Sequence, residues 1–301
     1  MSYNLLVVLG PTASGKTNLA VQLARTLGGE IISADSRQVY RGMDIGTGKD
    51  LAEYGNTPYH LIDILEPGAD FNVFEFQRRF AVVFEDIRER GKLPVLAGGT
   101  GMYLDSVLAG YRMADVPENQ SLRAELEGRS MGYLAARLME ANPRMHNTTD
   151  LLDRNRLVRA IEIAEFEAAD TMPALPEIRP VIFGIRWDRG LLRQRITKRL
   201  KERLENGMIE EVARLHGNGV PFETLDYYGL EYRFIARYLK GDLNWNDMFQ
   251  KLNSAIHDFA KRQETWFRRM ERNGIGINWL EGAGNPFSEA LNVLRNIEKQ
   301  I

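Results

Sequence analysis

Five short runs along the chain are dominated by apolar residues instead of alternating with polar ones: Leu5 to Leu9, Glu30 to Ala34, Tyr59 to Asp63, Leu93 to Ala97 and Val181 to Trp187. A strand covered on one face alternates; a strand covered on both faces reads as a run, so these segments predict buried parallel strands. Between most of them the apolar period lengthens to that of a helix. Leu19, Ala20, Leu23, Ala24 and Leu27 share one helical face, and so do Phe76, Phe80, Val83, Phe84 and Ile87. Strands alternating with helices predict an α/β three-layer core.

From Arg112 to about Pro176 the strand pattern stops, and helical stretches are expected around Ser121 to Glu127, Leu134 to Glu140 and Asp150 to Ala168. Met172-Pro173-Ala174-Leu175-Pro176 and Pro180 end this segment, because so many prolines cannot continue a helix. The expected organisation is therefore a core of residues 1–111 and 177–301 interrupted by a helical insertion domain, residues 112–176. Two long amphipathic helices follow the fifth strand. The first carries Leu192, Ile196, Leu200 and Leu204 on its apolar side, the second Leu252, Ile256, Phe259 and Trp266.

Composition narrows the picture. At 301 residues, 44% of them hydrophobic, the chain is long enough for a sizeable core. No run approaches the roughly 20 apolar residues of a spanning helix, so no membrane role is expected. Cysteine is absent, which excludes disulfides and thiolate chemistry and fits a cytoplasmic address. Net charge is only −2, so any nucleic-acid contact must come from local patches.

The first strand runs into Gly10-Pro11-Thr12-Ala13-Ser14-Gly15-Lys16-Thr17, which fits the phosphate-binding pattern G-x-x-x-x-G-K-[ST] between a strand and a helix. Backbone N–H groups at a helix N-terminus attract an anion, Lys16 adds a point charge, and the Thr17 hydroxyl is a ligand for Mg²⁺. On this motif alone, ATP is the default ligand. The second strand ends at Asp35, beside the loop if the sheet is open and parallel, where a carboxylate serves as general base or holds a metal-bound water; an Asx turn is the competing role. Gly98-Gly99-Thr100-Gly101 follows the fourth strand, at the same edge, with glycines that let the backbone approach a ligand. That strand ends in no acid of the kind that organises Mg²⁺ and water in nucleotide hydrolysis. Asp63 is the substitute, and keeps a P-loop kinase or ATPase open.

Basic residues gather at Arg154, Arg156 and Arg159, at Arg193 to Arg203, and at Lys261 to Arg269. Arg195, Arg199 and Arg203, spaced by four, form a guanidinium column expected opposite the leucines. Around Trp266 and Phe267 the basic residues suit an RNA backbone and a stacked base, or the aromatics are core. The histidines His60, His146, His216 and His257 show no metal-ligand spacing.

Together, Gly10 to Thr17, Asp35-Ser36-Arg37-Gln38-Val39-Tyr40, Gly42-Met43-Asp44-Ile45-Gly46-Thr47-Gly48-Lys49, Gly98 to Tyr103, and Lys261-Arg262-Gln263 with Thr265-Trp266 resemble the tRNA dimethylallyltransferases. The resemblance implies a P-loop NTPase-like core with a helical insertion, and Mg²⁺-dependent transfer of a dimethylallyl group from dimethylallyl diphosphate to N6 of the adenosine 3′ of the anticodon. It implies Asp35 as base, Thr100 holding the target base, and Lys16, Thr17 with Mg²⁺ and Arg199 on the leaving diphosphate. It implies contact with the tRNA anticodon stem-loop by Asp35, Ser36, Arg37, Gln38, Thr100, Arg123, Asn155, Arg156, Leu157, Val158, Arg159, Lys261, Arg262, Gln263, Trp266 and Arg268, by a protein expected to work as a monomer. Where most members carry a Gly-Tyr-Lys-Glu-like stretch, this chain has Tyr228-Gly229-Leu230-Glu231-Tyr232-Arg233. The alternatives are an adenylate isopentenyltransferase acting on free AMP, ADP or ATP, the P-loop kinase or ATPase, and an RNA-binding module with an idle loop.

Overall fold

A computed structural model describes residues 3–110, 116–142, 153–166 and 175–299. The chain divides into two compact units, residues 1–111 with 175–301, and residues 112–174. The first is built on a six-stranded sheet of β1 (Leu5–Leu9), β2 (Gly29–Ala34), β3 (Tyr59–His60), β4 (Leu93–Gly98), β5 (Pro180–Arg186) and β6 (Asn278–Glu281), in the order β3-β2-β4-β1-β5-β6. Every pairing is parallel.

The reason the strands read as runs is visible in β1. Leu5, Val7 and Leu9 point into one apolar cluster and Leu6 and Val8 into another, so all five side chains are covered. On the Leu6 side lie α1 (Lys16–Leu27) and α12 (Pro286–Lys299). On the other lie α2 (Val73–Glu89), α3 (Gly101–Leu108), α7 (Arg189–Glu205), α8 (Met208–Gly217), α9 (Phe222–Tyr227), α10 (Leu230–Leu239) and α11 (Trp245–Arg272). The layers are helix, sheet, helix.

Three local expectations change. The third strand stops at His60 because Leu61 (φ 61°) and Asp63 (φ 54°) take left-handed backbone, which leaves the ladder. β6 has one buried residue, Leu280, and offers no apolar run to read. On α11 the buried stripe is Met248, Leu252, Ile256, Ala260, Gln263, Phe267 and Met270, whereas Phe259 is exposed and Trp266 only half-buried.

The second unit contains α4 (Gln120–Leu126), α5 (Met131–Ala141) and α6 (Arg154–Glu165). Asn119, Ser130 and Asp153 cap their N-termini by accepting from Leu122, Tyr133 and Arg156 N–H groups. Leu122, Leu126, Leu134, Leu138, Leu157 and Ile161 form its small core. The expected helix limits Asp150 and Ala168, the boundary residue Arg112, the Met172 to Ala174 stretch and His146 lie outside the described residues.

Candidate active site

Gly10 to Thr17 leaves the carboxyl end of β1 and enters α1. Its backbone is left-handed at Ala13 (φ 61°) and Gly15 (φ 90°), and reversals of this kind turn successive N–H groups toward one concavity. Glycine meets that requirement at position 15 without strain. The outer wall of the loop is tied down: Trp187 Nε1 donates to the Ser14 carbonyl (3.0 Å) and Arg195 Nε to the Ala13 carbonyl (2.9 Å), with the Arg195 guanidinium 4.2 Å from the Trp187 ring centre. The Ser14 hydroxyl is buried without a hydrogen-bond partner.

Four cations converge here. Arg195, Arg199 and Arg203 do not lie opposite the leucines of α7, as expected; three residues on a helix turn through about 300°, so the column sits directly beside the Leu192, Ile196 and Leu200 stripe and faces the phosphate loop. Arg199 is ion-paired with Asp50, Arg203 stands 3.8 Å from the same carboxylate, and buried Arg203 Nη2 has no hydrogen-bond partner. Thr12, Ala13, Arg199, Arg203 and Glu231 line one narrow pocket. Burial, then repulsion from Arg199 and Arg203, lowers the Lys16 ammonium to about 8. Burial and Arg199 likewise lower Arg203 to about 10. Crowded, desolvated cations of this kind favour a polyanion.

The ends of β2 and β4, neighbours in the sheet, bring Asp35 and Thr100 together. Ser36 N–H donates to Thr100 Oγ1 (3.2 Å), and Thr100 N–H donates to the Ala34 carbonyl (3.3 Å). Asp35 Oδ1 accepts from Arg37 N–H (2.9 Å), so the Asx turn exists and occupies one carboxylate oxygen while fixing the side chain. Asp63 is engaged elsewhere: its carboxylate and that of Asp44 pair with the buried Lys49 ammonium, which also donates to the Tyr40 carbonyl. The acid that would have organised metal and water in a kinase or ATPase is therefore a structural partner. Among the described residues no group of three or more His, Cys, Asp or Glu is arranged for a metal.

The glycines at and just past the end of β4 serve packing against protein. A Cβ on Gly98 would strike the Ala34 carbonyl, on Gly99 the Gln263 amide, and on Gly101 the Trp266 ring. Gln263, 7% exposed, accepts from Thr12 N–H (2.8 Å) and donates to the Gly99 carbonyl (2.8 Å), bracing the phosphate loop against the Thr100 turn.

The family model described as IPP transferase matches residues 38–270, and one described as isopentenyl transferase matches residues 3–57. The chain is 68% identical over 300 residues to tRNA dimethylallyltransferase 1 of Geotalea daltonii, covering 100% of this chain and 98% of that one. The chain belongs to the tRNA dimethylallyltransferase family. The full-length tRNA isopentenylpyrophosphate transferase of Bacillus halodurans superposes with a TM-score of 0.72 at 31% identity, over 99% of this chain and 96% of that one. A eukaryotic dimethylallyltransferase acting on tRNA shares the fold, with a TM-score of 0.76 at 23% identity over 92% and 73% of the two chains.

The residues expected to touch tRNA divide into two kinds. Asn155, Arg156, Lys261, Arg262 and Arg268 are exposed, and Ser36, Arg37 and Val158 half-buried. Others have their groups engaged by protein. Gln38 is buried, accepting from Ser33 Oγ (3.0 Å) and donating to the Gly48 carbonyl (3.2 Å). Gln263 has both amide ends engaged, as above. Leu157 is fully buried in the core of the second unit. Arg123 and Arg159 both pair with Glu162, which also accepts from Asn119 N–H. Burial opposes ionisation of Glu162, but these hydrogen bonds outweigh it and hold its carboxyl at about 2. Of the stripe Arg154, Arg156 and Arg159, Arg154 donates to the Leu126 and Arg129 carbonyls, leaving Arg156 the fully displayed guanidinium.

Sequence reasoning missed Glu211. Almost fully buried, its carboxylate accepts from Asp44, Ile45 and Gly46 N–H groups (2.9, 2.7 and 3.0 Å) and from Tyr232 OH (2.7 Å), anchoring the Gly42 to Lys49 loop under the arginine column. Nothing local marks it: it is one acid among several on the amphipathic α8.

Proposed function

We propose that this protein transfers a dimethylallyl group from dimethylallyl diphosphate to N6 of the adenosine 3′ of the anticodon in tRNA, releasing diphosphate. The observation that carries the reading is that two adjacent strand ends beside the cationic phosphate loop present Asp35, its carboxylate held by Arg37 N–H, and Thr100, its hydroxyl accepting from Ser36 N–H. A new C–N bond forms from adenine N6 to the allylic carbon as the C–O bond to diphosphate breaks. The bonding electrons leave with the diphosphate, and the N6 proton passes to the Asp35 oxygen not held by Arg37. Thr100 Oγ1 accepts from Ser36 and keeps its own hydrogen to donate to the target base.

The charge that accumulates on the leaving group is met by loop N–H groups, Lys16 and Arg199, preorganised and partly desolvated. Thr17, whose hydroxyl is a hard oxygen donor in the first turn of α1, is the residue that would hold Mg²⁺. Bound there, it would neutralise diphosphate charge. An unpaired loop base reaches such a site at a cost of about a few kcal/mol for unstacking. Of the residues implied to touch tRNA, the exposed Lys261, Arg262 and Arg268, the exposed Asn155 and Arg156, and the half-buried Ser36, Arg37 and Val158 are left to meet the stem-loop, and the cytoplasm is where such a substrate is met.

The test is competitive. Labelled dimethylallyl diphosphate, Mg²⁺, bulk tRNA and AMP are incubated together with the protein. Label on tRNA at the adenosine 3′ of the anticodon supports the proposal; label on AMP alone establishes the adenylate reading; ATP turnover with no need for a prenyl donor establishes the kinase or ATPase.

A further inference from the structure

We infer that Tyr227, with the Arg37 guanidinium packed on it, is a stacking platform for a nucleobase of the acceptor RNA adjacent to the one that enters the site. The inference rests on tRNA being the acceptor.

Four tyrosines gather at the rim that holds Asp35. Three are buried: Tyr103, stacked on Phe76 with ring centres 4.3 Å apart; Tyr40, whose hydroxyl donates to the Ala69 carbonyl; and Tyr228, whose hydroxyl accepts from Gly68 N–H. The fourth, Tyr227, ends α9 with 65% of its surface exposed, among the most exposed large apolar side chains described. Core packing does not account for it. Tyr228 meets its ring edge-on at 6.1 Å, and Arg37 Cζ stands 4.9 Å from its centre. Arg37 is also the residue whose N–H holds the Asp35 carboxylate. An open aromatic face, backed by the guanidinium of the residue whose N–H holds the reacting carboxylate, is the combination on which an unstacked base sits, because every base offers a π-face and arginine adds cation–π attraction. A flipped target leaves its neighbour without a stacking partner, and Tyr227 replaces that partner.

The platform is tested by equilibrium binding of an anticodon stem-loop RNA without any prenyl donor. Stacking on an aromatic side chain corresponds to about a 5- to 150-fold affinity change. Tyr227→Ala should weaken binding by that factor while leaving the slope of log Kd against log salt unchanged, since no phosphate contact is removed. Tyr227→Phe, which keeps the ring, should recover most of the loss. Hairpins made abasic at one loop position at a time locate the partner: at one position the abasic hairpin should bind the wild type as poorly as the intact hairpin binds Tyr227→Ala, and lose nothing further against that variant. Tyr227→Ala binding within twofold of the wild type, or every abasic position costing the two proteins equally, overturns the platform. Label appearing on AMP and not on tRNA in the competitive transfer assay overturns the acceptor reading instead, so the two failures are separable.

Discussion

Gln263 offers the sharpest test of how the site is held together, because the resemblance assigned it to tRNA and the structure engages both ends of its amide with backbone. The perturbation is Gln263→Leu, close in shape. It leaves the Thr12 N–H and the buried Gly99 carbonyl without partners, each 2.8 Å from the amide in the wild type. An unmet buried backbone group costs about 1–3 kcal/mol, and the leucine's better fit to an apolar surrounding offsets part of the sum, leaving about 2–4 kcal/mol. The unit concerned comprises residues 1–111 and 175–301. For a domain of this size 1 kcal/mol shifts Tm by about 2–4 °C, so the variant should melt about 4–16 °C lower. Thr12 belongs to the phosphate loop, so donor affinity should fall with it.

Gln263→Glu supplies an internal check. Its ionised carboxylate keeps the acceptor for Thr12 but sets a second oxygen against the Gly99 carbonyl; protonated, it can donate there as the amide does. The variant's deficit in Tm relative to wild type should shrink as the pH is lowered. Calorimetry of both variants, beside KM for donor and for tRNA, decides the matter. An unchanged Tm with a raised KM for tRNA alone would refute the bracing role and return Gln263 to the tRNA surface.

Three further outcomes are expected. Asp35→Asn should lower turnover by about 10²–10⁴-fold, the usual weight of a general base, with the donor Kd changed only slightly; a comparable loss of donor binding would show that Asp35 holds metal or phosphate instead. Lys16, at about 8 in the free protein, should regain its proton when a diphosphate binds; near pH 8 to 9, titration calorimetry in two buffers of different ionisation enthalpy should therefore show proton uptake that Lys16→Arg lacks, and affinity should weaken as pH rises through 8. Glu162, held at about 2 in the folded state against 4.5 ordinarily, contributes stability that is fully present above about pH 4.5 and lost as pH falls toward 2, worth about 3 kcal/mol; Glu162→Gln should lower the melting of the 112–174 unit at pH 7 and flatten its acid limb, read by circular dichroism of the full chain.

What could be read from the sequence follows from how far each feature depends on its neighbours. Leu5 to Leu9 was legible because burial on both sheet faces writes itself into every residue of the strand, and Gly10 to Thr17 because its function demands fixed residue types at fixed spacing. Asn278–Glu281 was not, since an edge strand with one buried residue carries no period. For the arginine column, spacing by four establishes that Arg195, Arg199 and Arg203 align but not on which side of the helix, and their angle to the leucines, about 60°, puts them on the flank that meets the loop. The motif residues themselves part along a line the sequence does not draw. Asp35, Thr100 and Lys16 carry the groups proposed to meet substrate, whereas the side chains of Gln38, Lys49 and Gln263 are engaged by Gly48, Asp63 and Thr12, and the glycines at 99 and 101 leave room for Gln263 and Trp266. A bracing residue needs its type and spacing as strictly as a reacting one, because its partners, backbone groups or packed side chains, stand at fixed places. Pattern alone therefore cannot separate the two, and only what each residue meets in the fold does.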